Sequence, residues 1–175
     1  VADYVTASAA LLDALDVERA HMVGHSFGGT LMPAFQKAHP DRVASMVLAQ
    51  PVIGSGPLGA EKQAEIIAAR ENLLAELGVE AYAKQHAPRS VAATADTATV
   101  AKGIEVTSWT RPKGHLAQWR AMARAEIFAE IGNEPCPSTV IAGAGDKTAS
   151  QDVVKRIAAA IAGARAAVLS TATAI

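Results

Sequence analysis

Ser26 stands in Gly24-His25-Ser26-Phe27-Gly28, a G-x-S-x-G pattern with a further Gly29 behind it. Ala20 to Gly24 is a short apolar run that reads as a strand, and the residues after Ser26 read as a helix. A strand that becomes a helix within one residue strains that residue's backbone. Gly24 and Gly28 are then expected to lack side chains so that the two arms do not collide. The turn holds the serine oxygen clear of the sheet, at a helix N-terminus whose free N–H groups can meet an anion. The chemistry this suits is nucleophilic attack on a carbonyl, with the N–H of Phe27 as an oxyanion donor.

Asp146 is the second candidate. It follows the run Val140-Ile141-Ala142-Gly143, where a strand ends and a loop begins. Functional residues of open parallel sheets gather at such ends. A carboxylate there can hold a histidine in one tautomer and stabilise its charged form. It can also simply cap a turn. Asp152, close by, reads as a first-turn helix acid. The histidines are His21, His25, His39, His86 and His115, and all precede Asp146. His115 could face the site, although for all five a polar or partly buried structural role is the simpler reading. Trp109, Trp119, Met122 and Phe128 could line an apolar pocket or pack a helical block onto the core. There is one cysteine, Cys136, and no cysteine pair, so neither a metal site nor an internal disulfide is expected.

These residues need positioning elements. A helix is expected from about Asp3 to Leu15, with Val5, Ala9 and Leu12 on one face and Leu11 and Leu15 alongside. Behind the serine, Leu31, Ala34, Phe35 and Ala38 mark the buried stripe of a second helix, and Pro33 predicts a kink in it. His39-Pro40-Asp41 stops it, and Val43 to Ala49 reads as a second buried strand. Strand, helix, strand is the parallel crossover of an α/β sheet.

From Ala60 to about Trp119 no strand is expected. Ile66, Ala69, Leu73 and Leu77 share a helical face, with Gly78 as a C-terminal cap. Val79–His86, Asp96–Trp109 and His115–Arg124 read as further helices, separated by Pro88 and Pro112. This helical block resembles a lid. Strand character returns at Ser138 to Gly143, then a helix from Gln151 to Ala162 (Val153, Ile157 and Ile161 on one face) and a strand from Ala166 to Leu169. Gly54-Ser55-Gly56-Pro57-Leu58-Gly59 matches G-x-G-x-x-G literally, but Gln50 to Ile53 separate it from the strand and Pro57 removes an N–H. A hinge into the helical block fits it better than a dinucleotide site.

Composition narrows the class. The chain has 175 residues, one domain's worth, and a net charge of −1, which suggests no nucleic-acid partner. Half the residues are apolar but only 4% aromatic, which suits helices packed closely on a sheet. No stretch is apolar for long enough to span a membrane, and the start does not read as a signal peptide. A cytoplasmic location is the expectation. The chain begins with Val1 rather than Met, which suggests a start inside a longer protein, or processing.

Taken together, Gly24-His25-Ser26-Phe27-Gly28-Gly29, His39-Pro40-Asp41-Arg42-Val43 and Val140-Ile141-Ala142-Gly143-Ala144-Gly145-Asp146 resemble the α/β-hydrolase superfamily, most of all its small-cap esterases and enol-lactonases. The resemblance implies a mostly parallel sheet flanked by helices, with residues 1–55 and 130–175 as a partial core and 56–129 as the cap. It implies Ser26 as nucleophile, Phe27 N–H in the oxyanion hole, Asp146 as the triad acid, and no cofactor. The implied activity is hydrolysis of a small carboxylic ester or lactone. The alternatives are acyl transfer on the same fold or a binding protein that kept the elbow without catalysis. In the family's order the histidine follows the last strand, where Thr173 or Ala174 stands here. The strands that the family has before the elbow are also not found. The sequence therefore reads as a fragment lacking both ends, and the chain alone is expected to be nearly inactive.

Overall fold

The computed structural model describes residues 1–133, 135–146 and 148–170. Four strands form one sheet: β1 (Ala20–His25), β2 (Val43–Ala49), β3 (Ser138–Gly143) and β4 (Ala164–Leu169), in the order β1-β2-β3-β4. Every pairing is parallel, and Val23, Val47 and Thr139 lie level across the first three strands. β2 and β3 keep the limits expected from their apolar runs. β1 includes His25, and β4 begins at Ala164 rather than Ala166.

The core lies against one face of this sheet. Met46 and Leu48 of β2 and Val140 and Ala142 of β3 form its floor. Over them pack α2 (Phe27–Ala38) through Met32 and Phe35, α6 (Ile127–Glu130) through Ile127, and α7 (Gln151–Ala160) through Val154 and Ile157. Phe35 alone is 1% exposed, a burial that contributes about 2–3 kcal/mol. α1 (Ala2–Ala14) adds Val5, Ala9 and Leu12 at the edge of this cluster. On the opposite face of β1, Val23 is 72% exposed.

Several helical expectations change. Leu11 and Leu15 do not join the face of α1; they are 59% and 62% exposed. In α2 the buried stripe runs through Met32, Pro33, Ala34, Phe35 and Gln36, while Ala38 is exposed. Pro33 does not divide that helix, which continues as one element around a fully buried ring. α3 (Gly59–His86) spans two expected helices. Gly78 breaks its backbone at φ 70°, ψ 171°, the left-handed residue that a glycine cap supplies. Its buried residues are Leu74, Tyr82 and Ala83, with Ala69 exposed and Leu73 and Leu77 only partly covered. An alanine-rich helix offers little contrast between faces, so the packing rather than the periodicity sets its rotation.

α4 (Thr97–Ser108) is capped by Asp96, whose carboxylate accepts from Thr99 N at 2.7 Å. α5 (Pro112–Arg124) starts three residues before His115, because proline suits the first helical turn. The helical block between β2 and β3 is joined to the sheet by two adjacent strands of loop. Gly56 N donates to Ala125 O (2.8 Å), and Ile127 N to Ile53 O (2.9 Å). A side chain at Gly54 would meet Ala125 O at 2.1 Å, so the glycine-rich stretch permits a close crossing of two loops. It does not directly follow a strand, as a dinucleotide site requires, because β2 ends at Ala49. No helix among the described residues is long and apolar enough to cross a membrane.

Candidate active site

The C-terminal ends of β1, β2 and β3 and the underside of the helical block enclose a cavity of about 440 Å³. From the sheet side it is lined by His25, Ser26, Phe27, Gln50, Val52, Asp146 and Thr148. From the helical block it is lined by His86, Arg89, Ser90, His115, Gln118, Trp119 and Met122. The two residues selected first from the sequence, Ser26 and Asp146, are therefore brought to one space.

Ser26 has φ 54° and ψ −118°, a region that non-glycine residues occupy only under strain. Its N–H donates to Ala49 O of β2 at 2.9 Å, which anchors the turn to the neighbouring strand. The first helical bond of α2 is Thr30 N to Ser26 O (3.3 Å), so Phe27, Gly28 and Gly29 carry the N–H groups that have no helical acceptor. Phe27 is 4% exposed and meets Tyr4 of α1 edge-on, ring centroids 5.6 Å apart.

The expected reason for the flanking glycines holds on one side only. A Cβ on Gly24 would lie 2.3 Å from Gly28 O and 2.7 Å from Gly29 N. A Cβ on Gly28 would meet nothing within 4 Å. The close approach is instead shared by Gly29, where a Cβ would come within 3.1 Å of both Gly24 O and the Pro51 side chain. The strand passes beneath the backbone of the first helical turn, so the side chain excluded by the crossing belongs to residue 24, not residue 28.

Asp146 is 8% exposed and accepts three hydrogen bonds. Oδ1 accepts from Thr148 N (2.7 Å) and Ala149 N (2.8 Å), and Oδ2 accepts from Gln50 Nε2 (2.6 Å). It thus caps the turn after β3 and also faces the cavity. Asp152 lies in the first turn of α7, exposed, with Arg156 Nη1 3.9 Å away.

The helical block contributes an aromatic and imidazole cluster. Trp119 Nε1 donates to His115 Nε2 (3.0 Å), and Tyr82, fully buried, has its hydroxyl 3.1 Å from the same nitrogen. Arg70 lies 3.9 Å above the Trp119 ring, and His86 stacks on Tyr82 with centroids 5.1 Å apart. Burial first, and then the charge of Arg70, hold His115 below the usual histidine range. His86 is lowered too, by burial first, then by Arg70, His115 and Arg89.

Of the expected pocket residues, His115, Trp119 and Met122 line the cavity. Trp109 does not: it caps the end of α4, is 65% exposed, and has Lys102 Nζ 5.5 Å from its ring. Phe128 packs against the core, under Arg156. His25 and His86 join the lining although neither was singled out from the sequence. Gln50, Arg89, Ser90 and Gln118 were also missed; the strand-end rule that selected Asp146 applies equally to Gln50. Thr173 and Ala174 lie outside the described residues. Among the described residues no three His, Cys, Asp or Glu side chains come together to hold a metal ion.

The arrangement is an open parallel sheet, a strained serine at a strand–helix turn, and an acid after a later strand. The family model for the alpha/beta hydrolase fold matches residues 1–172. The chain belongs to the α/β-hydrolase family. The crystal structure of the enol-lactonase from Burkholderia xenovorans superposes with a TM-score of 0.80 at 26% identity, covering 96% of this chain and 64% of that one. A 2-hydroxy-6-oxononadienedioate/2-hydroxy-6-oxononatrienedioate hydrolase from Paraburkholderia xenovorans is 55% identical over 38 residues, 22% of this chain and 13% of the relative. Homoserine O-acetyltransferase from Thermus thermophilus is 31% identical over 122 residues, 69% of this chain and 29% of the relative. The α/β-hydrolase chain described here thus spans less than two thirds of the length of each of these proteins.

Proposed function

We propose that this α/β-hydrolase catalyses hydrolysis of a small carboxylic ester or lactone through a serine acyl-enzyme. The observation that carries the reading is Ser26: a strained hydroxyl-bearing residue at the head of α2, sharing one cavity with Asp146. In this reading Ser26 Oγ bonds to the carbonyl carbon and gives its proton to a base. The carbonyl oxygen becomes an oxyanion that accepts from Phe27 N–H at the positive end of the helix. Collapse breaks the bond to the alkoxide, which leaves with the proton from the base. Water then repeats the sequence on the acyl-serine and releases the acid.

The base would be a histidine oriented by Asp146. All five histidines precede Asp146 in the sequence, and His115 already uses Nε2 within the helical block. The reading therefore assigns none of these five as the base. Residues 56–129 serve as a cap over a core of 1–55 and 130–175. The likeness to an enol-lactonase and to a hydrolase favours water as the acceptor.

A second reading is acyl transfer, favoured by the 122-residue match to homoserine O-acetyltransferase. One experiment addresses both. Short-chain aryl esters and an enol-lactone are offered with and without an added alcohol, and the quenched protein is weighed by mass spectrometry. An acyl mass on Ser26, absent in Ser26→Ala, is expected. Diversion of product to the new ester would shift the reading to acyl transfer. Turnover that ignores Ser26→Ala, or no acyl mass with any ester, would overturn it in favour of a binding protein.

A further inference from the structure

Gln50 follows β2 directly, on the strand between the one that delivers Ser26 and the one that delivers Asp146. Three of its features converge. Its backbone is left-handed, φ 48°, at a residue that is not glycine. Its N–H donates to Ile141 O of β3 at 2.7 Å, while the preceding Ala49 O accepts from Ser26 N at 2.9 Å. The residue is 9% exposed, and its side chain donates from Nε2 to Asp146 Oδ2 at 2.6 Å, across 96 residues of sequence. The ionised carboxylate offers only acceptors, so the amide nitrogen rather than the amide oxygen must face it.

We propose that Gln50 is the positioning residue of the acid: its amide locks the Asp146 carboxylate in the orientation that leaves one oxygen site facing the cavity. A carboxylate has about four acceptor positions. Thr148 N and Ala149 N take those of Oδ1, and Gln50 takes one on Oδ2. The remaining Oδ2 position is the one that can receive an imidazole N–H. Two backbone bonds to Oδ1 alone leave the carboxylate free to swing about the turn; the third bond, from a different strand, removes that freedom. The left-handed backbone turns the side chain of residue 50 out of the strand's alternation and onto the acid. The catalytic consequence rests on the reading in which Asp146 orients a histidine; the positioning itself does not.

Amide hydrogen exchange in the intact chain tests the positioning. Gln50→Leu and Gln50→Glu are compared with the unsubstituted protein at pH 8, with the core amides of Leu48 and Val140 as controls for folding. The amides of Thr148 and Ala149 are expected to exchange about ten-fold faster in both variants, with the controls unchanged. A packing role predicts the opposite for Gln50→Glu, which has the same shape but sets one carboxylate against another. Unchanged protection of Ala149 in Gln50→Leu overturns the proposal. A second measurement needs no change at residue 50. The Gln50 side-chain amide should exchange at least about ten-fold more slowly than that of exposed Gln85, and lose this protection in Asp146→Ala. Equal exchange of the two glutamines in the unsubstituted protein also overturns the proposal. Acylation of Ser26 by an aryl ester is read separately, by mass. Absence of an acyl mass on Ser26 in the unsubstituted protein would sink the hydrolase reading and leave the exchange data to decide Gln50.

Discussion

The indole N–H of Trp119 points at Nε2 of His115 across 3.0 Å. An indole nitrogen only donates, so Nε2 must present its lone pair, and the neutral ring carries its proton on Nδ1. The Tyr82 hydroxyl, 3.1 Å from the same nitrogen, then also donates to it, and accepts in turn from Arg70 Nη1 at 3.4 Å. The chain of bonds from Arg70 through Tyr82 to His115 joins α3 to α5. It works only while His115 is neutral.

That condition has a pH dependence. His115 and His86 both lie below the ordinary histidine value of 6.5 in the folded chain. The unfolded chain therefore binds more protons as pH falls below 6.5, and folding loses stability in that direction. The charged groups that act on the pair are Arg70 and Arg89, both positive, and both disfavour the added charge. Urea midpoints followed by Trp119 fluorescence, in a Trp109→Phe background, should be level above pH 6.5 and fall from there toward pH 5. In His86→Gln with His115→Gln the fall should flatten. An unaltered slope in that double variant would count against the cluster as its source.

Gly24 and Gly28 should part company on substitution. Gly24→Ala drives a Cβ to 2.3 Å from backbone Gly28 O, where nothing flexible can yield. A loss of about 3 kcal/mol or more is expected. Gly28→Ala enters open space in a helical turn, where alanine is favoured over glycine by about 0.5–1 kcal/mol. Thermal unfolding of the two variants decides the matter, and equal destabilisation would refute the crossing geometry described for the elbow.

The strained turn itself can be relaxed. Ser26 at φ 54°, ψ −118° carries a backbone cost of order 1–3 kcal/mol, which glycine would not. Ser26→Gly should therefore unfold at higher temperature than Ser26→Ala, by an amount equivalent to about 1 kcal/mol, although both lack the hydroxyl. Calorimetry of the pair isolates backbone strain from the loss of the side chain. A glycine variant less stable than the alanine variant would show that the strain is not there.

What the sequence made legible follows from how strongly each element is marked. Val43 to Ala49 and Ser138 to Gly143 are apolar runs bounded by Asp41-Arg42 and by Pro137, and both strands keep those limits in the structure. Ser26 and Asp146 were found because glycines and strand ends leave a local trace. Leu11, Leu15 and Ala69 were misjudged because leucine and alanine recur on several faces of alanine-rich helices, so spacing alone does not choose one. Trp109 and Trp119 look alike as residues in helical segments. Only the orientation of α5 over the sheet separates the one that meets His115 from the one that meets Lys102. Gln50 carries only the strand-end signal, and a glutamine there is ordinary until β3 brings Asp146 beside it.

Arg42 offers a last test, of how β1 is held to the strand beside it. Its Nε donates to Glu18 O at 2.7 Å and its Nη2 to Val17 O at 3.0 Å, both in the loop that enters β1. Nη2 also lies 2.8 Å from Asp13 Oδ1 on α1. The Asp13 side chain is 65% exposed, so that ion pair adds little, and Asp13→Asn should cost less than about 0.5 kcal/mol. The two carbonyl bonds are local to a part-buried guanidinium that no lysine can imitate, since one ammonium cannot span the same fork. Arg42→Lys and Arg42→Met should each lose about 1–3 kcal/mol in urea unfolding. Hydrogen exchange should rise first at His21 to Val23, next to the register shift between Ala20 and His21. If Asp13→Asn matched the loss seen at Arg42, the ion pair rather than the carbonyl fork would be what secures the strand leading to Ser26.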